Sequence, residues 1–133
     1  MKRITLILAI VVLGICSCKE EVPVPESELL IGSWNWEMTS GGFIGGTSTP
    51  ESRGVTQGIE FRDDGKYFIF TDGDISEFGE YTLQYEGSLL LDRPAYIIRF
   101  NGMFTGFAVS EISKRKLIIV QECVSCFVHE YSR

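Results

Sequence analysis

The stretch Ile31-Gly32-Ser33-Trp34-Asn35-Trp36-Glu37-Met38 decides the fold. Its side chains alternate, with Trp34, Trp36 and Met38 on one face and Ser33, Asn35 and Glu37 on the other. A period of two marks a strand buried on one side. Two indoles on one face carry more apolar surface than a lone strand can shield, so the chain that follows is expected to close around them.

Downstream the same alternation recurs in short runs. Strands are expected at 31–40, 57–62, 66–71, 77–85, 89–100, 104–111, 117–122 and 127–133. Turn signals separate them: Asp63-Asp64-Gly65, Asp72-Gly73-Asp74, Glu86-Gly87-Ser88, Asn101-Gly102 and the basic tip Ser113-Lys114-Arg115-Lys116. Pro94 makes the first half of the fifth strand an edge, a bulge or a bend. Residues 41–50 hold four glycines and a proline, which predicts a long loop without regular structure. Its apolar tip, Phe43-Ile44, is either a lid or an excursion. No helical periodicity is found after the N-terminal segment.

Eight short strands joined by turns predict an all-β fold, an antiparallel eight-stranded up-and-down barrel, because closure removes both sheet edges. A barrel of eight strands is filled by its own side chains or holds one small ligand, and both outcomes stay open here. With an even strand number the first and last strands meet antiparallel. Arg133 then falls near Trp34, where a cation–π contact contributes roughly 0.5–2 kcal/mol.

The chain begins with Met1-Lys2-Arg3 and an apolar run over 4–15, too short to span a bilayer and patterned as a secretory signal. Ile15-Cys16-Ser17-Cys18 resembles the bacterial lipobox, with Cys18 as the acylated residue; an ordinary cleaved signal with a chance Cys is the alternative. The resemblance implies a lipid anchor in a membrane, and with more than one acyl chain such an anchor is firm. Lys19-Glu20-Glu21 resembles the surface-export signal of Bacteroidota lipoproteins and implies an outer-membrane protein facing the cell surface. Two prolines, Pro23 and Pro25, stiffen the segment after it. The expected organisation is a signal at 1–17, lipidated Cys and tether at 18–28, and a barrel domain at 29–133.

Gly32-Ser33-Trp34 resembles the Gly-x-Trp motif that opens the first strand of lipocalins. In that family an Arg from the last strand stacks on the Trp, and Arg133 holds the matching place. The resemblance covers about 100 residues and implies structural roles for Gly32, Trp34 and Arg133 and a ligand inside the barrel. Two departures are the short chain and the missing C-terminal helix.

Other constellations point away from catalysis. The whole chain has 12 basic and 18 acidic side chains, and cleavage before Cys18 removes Lys2 and Arg3. Such an acidic surface disfavours nucleic acid. Cys123-Val124-Ser125-Cys126 is expected to form a disulfide in an oxidising compartment. Reduced thiols, a redox pair or a zinc site with His129 are the alternatives, and a strand would put Cys126 and His129 on opposite faces. Asp72-Gly73-Asp74 starts like a calcium loop, but Glu77 and Leu83 stand where its Gly and Glu belong. His129 is the single histidine and no Gly-x-Ser-x-Gly elbow exists; Glu77 and Glu80 read as solvated charges. No enzyme activity, cofactor or metal is expected. Trp36, Tyr81, Tyr85, Tyr96, Phe107 and Tyr131 are the candidate walls of a site for a small apolar molecule. A filled barrel meeting a protein or glycan through its loops is the alternative function.

Overall fold

The computed structural model describes residues 25–133. The signal, Cys18 and the tether up to residue 24 lie outside the described residues. The elements are α1 (Glu26–Leu30), β1 (Gly32–Gly41), β2 (Gly46–Ser48), α2 (Pro50–Arg53), β3 (Gln57–Phe61), β4 (Lys66–Thr71), β5 (Asp74–Gly87), β6 (Pro94–Phe100), β7 (Phe107–Ile112), β8 (Lys116–Gln121) and β9 (Phe127–Ser132). All neighbours pair antiparallel, and β9 returns to β1 to close an eight-stranded barrel. β2 stands outside the ring as a short flap paired to the upper end of β1.

Two expectations about local structure change. Residues 41–50 are not without regular structure. Gly41, Gly42 and Gly45 take positive φ and turn the chain into β2, and Thr49 then caps α2 by accepting a bond from the Ser52 amide. The tether expected at 18–28 gives way to α1 at Glu26, and Leu30 of α1 is buried in the core. Both helices are single turns, too short to leave a periodic signal in sequence. None of the described helices is long and apolar enough to cross a membrane.

The turns follow their chemistry. Asp72 and Gly73 both take positive φ, 50° and 86°, joining Thr71 to Asp74 by a two-residue hairpin turn. Asn101-Gly102 turns as expected, yet β7 begins at Phe107, not 104, and Phe104 is fully exposed. The fifth strand starts at Pro94, not 89. Segment 88–93 is pinned instead to the outside of the barrel, where Ser88 and the Leu89 amide bond the Glu122 carboxylate and Arg93 Nη2 donates to the Ser110 carbonyl at 2.9 Å. Ala95, Ile97 and Ala108 are buried as well, although they alternate with the inward residues of β6 and β7.

One end of the barrel is solid. Trp34 is 1% exposed and donates its indole N–H to the Leu30 carbonyl at 2.9 Å. Arg133 lies over the indole at 3.9 Å and donates to the carbonyls of Ile31, Leu29 and Lys114 at 3.0, 2.9 and 2.7 Å. Its guanidinium thus ties α1, the β7–β8 turn and Trp34 together. Above this plug, Phe61, Tyr67, Phe100 and Phe107 pack ring to ring at 4.6–6.1 Å, with Ile98, Leu117 and Ile119 between strands.

Gly32 is required by this arrangement. Its φ is +119°, and a Cβ there would lie 3.1 Å from Arg133 Nη1. Gly32→Ala is expected to lower stability by about 1–3 kcal/mol, measured as a shift of the urea midpoint of the full chain. A neutral result would separate Gly32 from the Arg133 clamp.

Candidate functional site

The other end is open. Two β-bulges shape it. In β1 the pairing with β9 shifts between Trp36 and Met38, leaving Glu37 as the extra residue. The alternation expected through Met38 therefore stops at Trp36. Met38 turns outward opposite Glu130, and Thr39 turns inward opposite His129. In β5 the pairing with β4 shifts between Ile69 and Phe70, and Ser76 is extra. Glu77 then lies opposite Ile69 and faces inward.

Between these bulges is a cup of about 580 Å³, inside the range of roughly 300–1,000 Å³ usual for small-molecule sites. Trp36, Ile59, Ile69 and Tyr131 form its apolar wall, with Phe127 at the edge. The rim is polar: Thr39, Ser48, Arg53, Gln57, Thr71, Ser76, Glu77 and His129. A second hollow of about 600 Å³ at 64–65, 80–82 and 99–103 is built mostly from turn and charged residues and has no comparable apolar wall.

A hydrogen-bond chain holds the ring of the only histidine. Trp36 Nε1 donates to Thr39 Oγ1 at 2.8 Å, and Thr39 Oγ1 lies 2.9 Å from His129 Nδ1. Thr39 accepts from the indole and keeps one proton and one lone pair for Nδ1; where it gives the proton to Nδ1, the imidazole proton sits on Nε2. Burial pushes the His129 pKa below its ordinary value, which keeps the ring neutral. Burial also pushes the Tyr131 hydroxyl up to about 12. Tyr67 is pushed up to about 12 by burial and by its bond to Glu77 at 2.7 Å.

The lowered His129 value has a sign. Below about pH 6.5 the unfolded chain takes up a proton that the folded chain resists, so stability present above that pH is lost as pH falls. The urea midpoint is expected to drop between pH 7.5 and pH 5.5, and His129→Gln is expected to shrink that drop. An unchanged drop would assign it to carboxylates.

Of the six aromatic residues read from sequence, Trp36 and Tyr131 line the cup. The other four do not. Phe107 is 7% exposed in the core below, its ring 5.8 Å from His129. Tyr81 packs edge-on against Phe61 and donates its hydroxyl to the Arg62 carbonyl at the closed end. Tyr85 is 65% exposed, because residues 81–87 of β5 pair with β6 alone and run past the end of β4. The Tyr96 ring lies 5.1 Å from it, tilted by 60°. Phe43 and Ile44 are 96% exposed and stand away from the cup, so they do not close it as a lid. Cys123 and Cys126 are joined in a disulfide with Cα atoms 5.4 Å apart. Its loop touches the rim strand, where the Gly42 amide donates to the Cys126 carbonyl at 3.1 Å. Among the described residues no three metal-ligating side chains come together.

Sequence reasoning missed Ile59, Ile69, Arg53 and the inward placement of Thr39 and Glu77. Ile59 was legible as an inward residue of its strand. The bulges and α2 carry no signal of comparable strength.

Fold and site together define a class, the closed antiparallel eight-stranded β-barrel, plugged at one end and cupped at the other. Comparison of the chain with protein-family models, with curated proteins and with solved structures found no match.

Proposed function

We propose that this chain is a lipid-anchored, lipocalin-like binding protein of the outer membrane, facing the cell surface, which holds a small apolar molecule in the cup. The observation that carries the reading is the cup itself: an apolar wall with a polar rim, above a core that is otherwise filled. Its chemistry is that of binding. His129 is neutral and bonded to Thr39, with Phe107 and Phe127 beside its ring. The anchor rests on the lipobox at Ile15-Cys16-Ser17-Cys18, and α1, the element nearest to it in sequence, lies at the plugged end. Native mass spectrometry of the purified full chain, with lipid extraction, tests the proposal. A reproducible bound mass lost on denaturation is expected; an empty protein after incubation with apolar metabolites would refute it.

A second reading has its own observation. The loops at the open end carry exposed apolar tips: Phe43 and Ile44, Met103 and Phe104, and Val124. The Glu122 amide donates to the Gly106 carbonyl, holding two of these loops side by side. Exposed apolar clusters mark interaction sites, so contact with a protein or glycan through these loops is the alternative. Replacing Phe43, Ile44 and Phe104 with Ser separates the two: cup occupancy is unaffected if the tips serve a partner instead.

A further inference from the structure

The hydrogen-bonding groups around the cup are unevenly spent. On the β3–β5 side each hydroxyl proton already has an acceptor. Gln57 Nε2 donates to Thr71 Oγ1 at 3.4 Å, Thr71 to Ser76 Oγ at 2.9 Å, and Ser76 to the Ile69 carbonyl at 3.2 Å. Glu77, the one carboxylate of the lining, holds the Tyr67 hydroxyl.

The β2–β1–β9 side is different. Ser48, Thr39 and His129 lie side by side in register across these strands. Thr49 follows Ser48 directly and caps α2, whose Arg53 lines the rim between β2 and β3 in the chain. Arg53 forms no ion pair among the described residues. Thr39 bonds Nδ1 of His129, and Nε2 has no hydrogen-bond partner among the described residues. The mouth therefore offers an unpaired cation and a free imidazole nitrogen above an apolar wall.

We infer that the guest is an amphiphile with an anionic head, a carboxylate or an equivalent oxyanion. Arg53 and His129 Nε2–H take the head at the rim, and Trp36, Ile59, Ile69 and Tyr131 take the tail. The inference rests on the binding reading above and adds the class of ligand. Glu77 is the group that opposes it. Its place on β5, across β3 and β4 from β1, sets it on the other wall, where it disfavours an anionic head and helps to aim the head toward Arg53.

Three probes of equal tail length test this on the full chain: dodecanoate, dodecanol and dodecylammonium. Fluorescence of Trp36 reports occupancy, since Trp34 is sealed at the other end of the barrel. Dodecanoate is expected to bind about 10-fold tighter than dodecanol, the worth of one charge-assisted bond at an exposed rim. Arg53→Met should remove most of that preference, and its urea midpoint, set beside that of the parent chain, shows that the variant is folded. His129→Phe should reduce the preference in part, and Lys66→Met, an equal charge change on exposed β4, should leave it intact. Equal binding of dodecanoate and dodecanol would overturn the anionic head while leaving the apolar cup standing. Tightest binding of dodecylammonium, lost in Glu77→Gln, would overturn it in favour of a cationic head. Binding of none of the three would overturn both the head and the cup.

Discussion

Replacing Trp34 with Ala is expected to lower stability by about 3–5 kcal/mol, a large share of the roughly 5–15 kcal/mol that holds a domain folded. Three losses coincide. The buried ring leaves a void at the plugged end, the Leu30 carbonyl loses its indole donor, and the Arg133 guanidinium loses the surface it lies on. Arg133→Met removes three bonds to backbone carbonyls as well as the stacking, and is expected to cost about 2–3 kcal/mol. Residues in contact do not act independently, so the double variant should fall short of the sum by about 1 kcal/mol. Urea unfolding of the full chain and its three variants measures this. Full additivity would show that the stacking contributes nothing beyond packing.

Replacing Trp36 with Ala is expected to weaken ligand binding about 30-fold, from the loss of roughly 2 kcal/mol of apolar contact. Trp36 is 6% exposed, so part of the effect will appear as lost stability. Trp36→Phe separates the two. It keeps an aromatic wall but removes the N–H that Thr39 accepts, so Thr39, the partner of His129, is no longer held from that side. Tyr85→Ala, at an exposed ring beyond the barrel wall, should leave binding unchanged. The loaded fraction seen by native mass spectrometry, set beside the urea midpoint, decides. Equal losses from Trp36→Ala and Tyr85→Ala would move the site out of the cup.

The barrel was legible because its signals are local. Alternation placed β4 at 66–71, and Asp72-Gly73 marked a hairpin turn. The even number of strands brought Arg133 to Trp34, where the structure places it at 3.9 Å. The cup was far less legible. Whether an inward aromatic residue lines a void or fills the core depends on its height along the barrel, and height follows from the stagger between strands. Phe107 and Trp36 both face inward, yet one is floor and the other wall. Tyr85 keeps its place in the alternation while β4, the strand that would cover it, has already ended. Arg53 reaches the rim on a single helical turn whose only sequence mark is Thr49-Pro50 with Ser52.

The extra residue at Glu37 gives β1 two reading frames. Below it, even-numbered positions face the interior; above it, odd-numbered ones do. The same residues in a strand without the bulge would run in a single frame: Met38 and Ser40 would enter the cup and Thr39 would leave it, whereas removing Glu37 together with the bulge keeps Thr39 inward. In the single frame the imidazole would lose its partner and the rim its ordered hydroxyl, with every other side chain unaltered. The polarity of the mouth is thus set by where one strand carries its irregularity, a property of pairing and not of residue type.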